Sequence, residues 1–298
     1  MPHTALPHTA RFDRYVVVDW SASGIPKTGA DSIWIADLAA IADEPVWTNP
    51  PTRHLAERAL DATMAGARAA GERVLVAVDV ALGYPAGTAA HFGLGDAAPW
   101  RAMWTWLEQE LHDDDRNRND RFAVAARLNA RTATEGPFWG CPPSGQAGSL
   151  RSIKPPTFEL PEFRASDRRL HDLGRRPFSV WQLLGVGSVG SQTLTAVPML
   201  RRLVERHRAD VWPFTTGLAA PRVEPGSIVV AEVWPSGFEL DIPVHWVKDA
   251  GQVAGVARRL READHDGTLE TWWRPDLDGA EETSEAIVHE EGWILGVT

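Results

Sequence analysis

Acidic residues stand at the ends of three apolar segments that have the composition of buried β-strands. Asp19 ends the run YVVVD, Asp79 ends RVLVAVD, and Glu232 ends SIVVAE. A carboxylate in such a segment costs several kcal/mol to bury unless a cation, a hydrogen-bond network or a metal ion compensates it. If the strands bring these carboxylates to one edge of a sheet, their mutual repulsion predicts a divalent cation between them. Asp249, which opens a helical stretch, is a fourth candidate ligand.

This set of oxygen ligands predicts both a metal and a reaction. Carboxylates are hard ligands that select Mg²⁺ or Mn²⁺. Two such ions about 4 Å apart can stabilise both the attacking and the leaving oxygen of a phosphoryl displacement. We therefore expect a metal-dependent phosphodiester hydrolase whose metal ligands and catalytic residues are Asp19, Asp79, Glu232 and Asp249. For each acid taken alone, the alternative is a structural helix cap or turn partner.

Two further segments are candidates for binding the substrate. The loop SASGIPKTG directly follows Asp19 and Trp20, and it offers Ser21 and Lys27 to a phosphate group. The densest basic cluster of the chain contains Arg164 and Arg168, which could hold phosphates as arginines do in nucleic-acid grooves. The alternatives are a polar β-turn without a ligand for the loop and a solvated surface for the arginines.

The charge of the chain is unevenly distributed. The net charge of −10 argues against indiscriminate nucleic-acid binding, because phosphate backbones bind to positive surfaces. Residues 115–210, however, carry 16 Lys and Arg against 9 Asp and Glu. A basic middle segment over an acidic metal site would suit a partner that is a nucleic acid or a phosphate-bearing small molecule. Ordinary surface solvation is the alternative explanation of this split.

The order of predicted elements indicates an α/β fold. Three strands, a helix that Thr52 can cap and the Asp79 strand follow one another, and a later strand and helix carry the remaining acids. We expect a mixed sheet with flanking helices, built from residues 12–112 and 211–298. Residues 113–210 are then a basic helical and irregular insertion or lid.

A glycine-rich motif in this middle segment formally matches a dinucleotide-binding turn. The hexapeptide GVGSVG at residues 185–190 follows an apolar run and precedes a predicted helix. Pro198 falls inside that helix, where we expect a kink or a break. A glycine-rich hinge or a close helix contact explains the motif better than a nicotinamide or flavin site.

Cysteine content and hydropathy bear on the cellular compartment. Cys141 is the single cysteine of the 298 residues, which excludes an intramolecular disulfide and fits a reducing cytoplasm. The sequence has no uninterrupted apolar stretch of about 18 residues and no apolar signal core at residues 1–14. We therefore expect a cytoplasmic protein with no membrane partner; the oligomeric state is left open.

Several phrases of the sequence are similar to a known family. The order strand, strand, strand, helix, strand, with acids at the ends of the first and fourth strands, resembles the ribonuclease H-like superfamily. The phrases VVVDWSASGIPKTGADSIW, VAVDVALGYPAG, AEVWPSGF and EEGWILGV resemble a family of predicted ribonuclease H-like nucleases, known as domain of unknown function 429. The resemblance implies a mixed sheet whose middle strands carry the metal-binding acids. It also implies nuclease chemistry, and it makes Glu57 the position that matches a glutamate of the superfamily's first helix.

Two other functions fit the same residues. The protein could use the cleft to bind a nucleotide-like small molecule without catalysis. It could also transfer a phosphoryl group from a nucleotide, because a similar first loop grips phosphates in the sugar-kinase and actin-like branch of the superfamily. ATP binding near Ser21 and Lys27 would distinguish the second of these from a hydrolase.

Overall fold

A mixed β-sheet forms the centre of the molecule in the computed structural model, which describes residues 10–95, 97–157, 159–185, 188–277 and 281–298. Its strands are β1 (Arg14–Asp19), β2 (Trp34–Ala39), β3 (Val46–Thr48), β4 (Val74–Asp79), β5 (Asp210–Val211) and β6 (Ile228–Glu232). They lie in the order β3-β2-β1-β4-β6-β5. Strand β1 is antiparallel to β2 and parallel to β4, and β4 is parallel to β6. The predicted α/β class with a mixed sheet and flanking helices is therefore confirmed.

Helices cover both faces of this sheet. They are α1 (Arg53–Ala69), α2 (Thr88–His91), α3 (Pro99–Glu110), α4 (Arg121–Asn129), α5 (Ala165–Asp172), α6 (Val189–His207), α7 (Lys248–His265), α8 (Leu269–Trp272) and α9 (Glu281–Ala286). A π-helix, Ile287–Glu291, follows α9 directly. None of the helices in the described ranges is both long and apolar enough to cross a membrane.

The side chains of each strand alternate between two hydrophobic cores. In β1, Val16 and Val18 belong to the core under α1, α3 and α6, which we call the first face. Tyr15 and Val17 belong to the core under α7 and the C-terminal segment, which we call the second face. This alternation is the ordinary period of two in a strand. Because of this alternation, the position of an acid along its strand determines the face on which its side chain lies.

Helix α1 begins and ends where local sequence signals predict. The Thr52 hydroxyl accepts a hydrogen bond from the Leu55 N–H at 3.3 Å, as an N-cap does. Gly71, just beyond the helix, has a φ of +74°, the left-handed conformation that glycine adopts without strain. Strand β4 then starts three residues later, so this turn delivers Asp79 to the same sheet edge as Asp19.

The middle segment packs against the first face. Val124 of α4, Trp181 and Leu194 of α6 are all buried in the same core as β1 and β4. Helix α6 continues through Pro198, where the sequence predicts a kink or a break. Pro198 is itself buried, and packing of α6 against α1 and α3 offsets the backbone hydrogen bond that proline cannot donate.

The GVGSVG motif provides a close contact at the start of α6. A Cβ atom at Gly190 would lie 2.4 Å from the Val180 carbonyl oxygen, so only glycine fits there. Residues 186 and 187 of the motif lie outside the described residues. The close approach favours the helix-packing explanation over a dinucleotide-binding turn.

Two adjacent glutamates in the π-helix connect the C-terminal segment to the middle of the chain. We call Glu290 and Glu291 the carboxylate latch. Their oxygens accept backbone N–H groups at 2.6 to 2.8 Å from Ala86, Gly87, Ala89 and Ala165. The latch therefore satisfies donors at the start of α2, which has no side-chain cap, and at the start of α5, where Asp167 accepts the backbone N–H of Arg164 but not that of Ala165.

Candidate functional site

A cleft of about 510 Å³ opens at the carboxyl end of β1. Four of its lining residues are predicted site residues, namely Asp19, Ser21, Lys27 and Asp249, and Arg121 and Ser191 also line it. The indole of Trp20 donates a hydrogen bond to the Thr195 hydroxyl at 3.1 Å, and the Gln192 amide donates to the Trp20 carbonyl at 2.6 Å. The first turns of α6 are therefore fixed directly beside Asp19.

Asp19 and Asp79 are neighbours across two parallel strands. They are paired in the register of β1 and β4, so both side chains leave the sheet on its second face. Adjacent strands lie about 4.8 Å apart, which places the two carboxylates side by side. Asp19 opens on the main cleft, and Asp79 lines an adjoining cavity of about 250 Å³. Gln192 lines both spaces.

Among the residues that the structure describes, neither carboxylate accepts a hydrogen bond or forms an ion pair. The charge of Lys248 acts on Asp19 from beyond ion-pair distance. Burial raises the pKa of Asp19 well above its ordinary value, and the nearby charges of Asp79 and Asp249 raise it further. Burial also raises the pKa of Asp79 to about 7, with further contributions from Glu232 and Asp249. The site therefore concentrates negative charge that Lys248 offsets only in part.

The raised pKa of Asp79 predicts that the stability of the protein depends on pH. Between pH 3.8, the ordinary pKa, and about 7, the folded protein holds a proton on Asp79 that the unfolded chain has lost. The free energy of unfolding must then fall as the pH rises through this range, by at most about 4 kcal/mol for this group. We expect Asp79→Asn to remove this fall, so that the variant is more stable than the parent protein at pH 8. Urea denaturation in EDTA from pH 4 to 8 measures the difference, and identical slopes for the two proteins would contradict it.

Glu232 lies on the opposite face of the sheet from the other two strand acids. It pairs with Val78, one residue before Asp79, and a one-residue offset turns a side chain to the other face. Both of its carboxylate oxygens accept hydrogen bonds from Arg164 at 2.7 Å, and one also accepts the Leu82 N–H at 3.0 Å. Its carboxylate is thus committed to protein donors, and we leave Glu232 out of the set of metal ligands.

Asp249 lies on the same side of the sheet as Asp19. It occupies the first turn of α7, and its carboxylate accepts the Asp31 N–H at 2.6 Å. It contributes to the raised pKa of both Asp19 and Asp79, so its charge acts on the pair. One Asp249 oxygen therefore holds the loop after β1 against α7. This contact is the structural role of a turn partner, the alternative to metal binding that the sequence leaves open.

These acids can hold a divalent cation only if the cation takes most of its ligands from water or substrate. Across the described ranges, no three Asp, Glu, His or Cys side chains stand together as a metal site. Mg²⁺ commonly uses one or two carboxylates and takes its other ligands from water and substrate phosphates. The pair Asp19 and Asp79 meets that requirement. Glu57 does not contribute, because Arg202 binds both of its oxygens at 2.6 and 2.8 Å on the first face.

Comparison of the chain with known proteins identifies no relative. The chain matches no protein-family model, no curated protein and no solved structure.

The predicted substrate-binding residues are divided between two places. Ser21 and Lys27 line the cleft, where the Lys27 ammonium lies 3.4 Å from the Asp31 carboxylate. Arg164 is only 3% exposed and forms ion pairs with Asp167 and Glu232. Arg168 is exposed and donates to a nearby carbonyl oxygen of its own segment. The structure thus corrects the prediction for Arg164, whose donors are all used inside the protein.

Two cleft residues carry no signal in the sequence. Arg121 begins α4, and Gln192 lies in the first turn of α6, so neither belongs to a motif. Packing of α4 and α6 on the first face brings both beside the end of β1. The run DDDRNRND before Arg121 marks a change of element but gives no indication of where the arginine points.

Proposed function

We propose that this protein is a metal-dependent phosphodiester hydrolase in which Asp19 and Asp79 hold Mg²⁺ or Mn²⁺. The observation that carries the proposal is the pair of adjacent buried carboxylates that form no hydrogen bond and no ion pair in the described part of the chain. Five other buried or half-buried acids all accept hydrogen bonds from the protein: Asp167, Glu232, Asp264, Glu290 and Glu291. The free pair therefore differs from the structural acids of the same molecule.

The chain's own residues supply the remaining functions of such a site. When bound, the ion would polarise a phosphoryl oxygen and lower the pKa of a coordinated water. Asp19 and Asp79 would hold it at the sheet edge, and Asp249 would add negative potential from α7. Lys27 and Arg121 line the same cleft and provide the positive charge that a phosphate group needs.

The fold supports a proposed kinship with ribonuclease H-like proteins. The resemblance implies a mixed sheet whose middle strands carry the metal-binding acids, and β1 and β4 are the two middle strands of this sheet. Their last residues are Asp19 and Asp79. Glu57 departs from the pattern because it is bound to Arg202. The kinship therefore rests on two acids and the strand order.

Metal binding tests the proposal before any substrate is known. An ion that binds only the folded state stabilises it by about 2.7 kcal/mol at one hundred times its Kd. For a chain of this size that corresponds to a rise in Tm of about 5 °C. We expect millimolar Mn²⁺ to raise the Tm of the parent protein at pH 8 and to leave the Tm of Asp79→Ala unchanged.

Two control variants sharpen this measurement. Asp115→Asn removes an exposed carboxylate outside the cleft and should keep the full shift. Glu232→Gln should be less stable than the parent protein but should still show a rise in Tm, because the Glu232 oxygens are bound by Arg164 and the Leu82 N–H and provide no ligand to the ion. A parent protein without a shift, or an equal shift in Asp79→Ala, would overturn the proposed metal site.

A further inference from the structure

Arg121 is a half-buried cation in the cleft with neutral partners only. Its Nε donates to the Ser191 hydroxyl at 2.9 Å and its Nη1 to the Asn119 side-chain oxygen at 2.8 Å. The guanidinium carbon lies 4.3 Å from the centre of the Phe122 ring. No carboxylate forms an ion pair with it in the described ranges, and Nη2 has no hydrogen-bond partner there. An anion in the cleft would compensate this charge.

The surroundings hold Arg121 in place and lower its proton affinity. Burial, followed by the charge of nearby Arg53, lowers the pKa of Arg121 to about 10. It therefore remains a cation at neutral pH. Arg53 has an internal partner, since Asp113 binds it at 2.5 Å. The charge of Asp113 also acts on Arg121, but no acid in the described ranges lies within ion-pair distance of Arg121. The contrast between these two neighbouring arginines points to Arg121 as the one available to a ligand.

The cleft places this cation in the same space as Asp19. Ser191, which accepts the Nε hydrogen bond, is adjacent in sequence to Gln192, which is bound to the Trp20 carbonyl. Asp19 directly precedes Trp20. One short chain of contacts therefore links the guanidinium to the metal-binding edge. The start of α6 opens on the same space, and the partial positive charge of a helix N-terminus favours an anion there.

Size and charge favour a small ligand over a polymer. A volume of about 510 Å³ lies within the usual range for small-molecule sites. About half of the basic side chains of residues 115–210 are paired with acids, most of them at the surface. At least eight of these 16 basic side chains form ion pairs: Arg118, Arg127, Arg151, Lys154, Arg164, Arg201, Arg202 and Arg206. A polynucleotide needs a continuous row of free cations, which these pairs interrupt.

We infer that the substrate is a small phosphodiester and that Arg121 binds its phosphate group through Nη2. This inference rests on the proposed hydrolase function and names the substrate class of that site. Arginine suits the role because its planar donors match the geometry of phosphate oxygens. Lys27, which already lies beside Asp31, adds charge without that fixed geometry.

Substitution of Arg121 tests the inference with bis(4-nitrophenyl) phosphate as the probe. In Mn²⁺ at pH 8 we expect Arg121→Gln to raise the KM for hydrolysis by about 10- to 100-fold, the effect of a lost charge-assisted hydrogen bond. The KM of Arg121→Lys should lie between that of the parent protein and that of Arg121→Gln. Arg116→Gln removes an exposed positive charge outside the cleft and should leave KM unchanged. The Mn²⁺-induced rise in Tm should be the same in all four proteins.

Calorimetric binding of the same probe tests the hydrolase function and the Arg121–phosphate contact separately. Binding that depends on Arg121 without hydrolysis would overturn the proposed function and keep the phosphate contact. Hydrolysis with an unchanged KM and unchanged binding in Arg121→Gln would overturn the contact and keep the function. A single-stranded oligonucleotide provides the last comparison. If its kcat/KM exceeded that of the small diester by more than about 100-fold and fell steeply with salt, the substrate would be a polymer and the inference would be wrong.

Discussion

Asp19→Asn is expected to lower the rate of bis(4-nitrophenyl) phosphate hydrolysis in Mn²⁺ by about 10³-fold. The amide keeps the shape of the side chain but removes one of the two charges that would hold the ion. Stabilisation by a metal ion is worth several kcal/mol of the barrier, and each 1.4 kcal/mol is a factor of ten. The measurement is kcat/KM at pH 8 against the parent protein.

The same variant is expected to fold at least as well as the parent protein. The pKa of Asp19 is raised in the folded state, so its ionised form opposes folding above pH 4, and the amide removes that unfavourable charge. Loss of activity would then be separate from loss of structure. Asp115→Asn, in an exposed loop outside the cleft, is the matched control for removal of one carboxylate and should retain full activity. Unchanged turnover in Asp19→Asn would rule out a metal-dependent reaction at this carboxylate.

Arg164→Met is expected to lower the free energy of unfolding by about 3 to 5 kcal/mol. The guanidinium binds Glu232 with two hydrogen bonds and Asp167 with two more, and all three side chains are almost completely buried. Removal of one partner from a buried ion-pair network leaves the remaining charges without compensation, which produces a loss of this size. Urea denaturation at pH 7 gives the value directly.

An exposed ion pair provides the comparison for this effect. Arg118 binds Asp114 at 2.6 Å, but its side chain is 75% exposed. Pairs of this kind contribute about 0 to 1 kcal/mol, so Arg118→Met should change stability little. A loss below 1 kcal/mol in Arg164→Met would show that Arg164 is not the compensating charge of this network.

The acids at the strand ends show what the sequence can and cannot predict. The three runs YVVVD, RVLVAVD and SIVVAE look alike, and their composition correctly indicates buried strands that end at one edge. The face on which each acid lies depends on the register between strands. Asp19 pairs with Asp79, whereas Glu232 pairs with Val78. Register is a property of the assembled sheet, so this one-residue difference has no local signal.

The arginines illustrate the same limit for substrate contacts. Arg164 stands in the densest basic cluster of the sequence, yet its partner Glu232 is 68 residues away and draws it into the interior. Arg121 has no distinctive neighbours, and the packing of α4 and α6 brings it to the cleft. Linear charge density predicts where basic residues are frequent. Only the fold decides which of them remain without an acidic partner.

The carboxylate latch can form only near the end of protein synthesis. Strands β1 and β4 are synthesised early, but the backbone donors of Ala86, Gly87, Ala89 and Ala165 are bound by water until Glu290 and Glu291 leave the ribosome. More than 200 residues separate Asp79 from Glu291. The second face of β1 and β4 is likewise covered by α7 and the C-terminal segment, so the nascent chain exposes this apolar face until late in synthesis, a state in which chaperones protect polypeptides from aggregation.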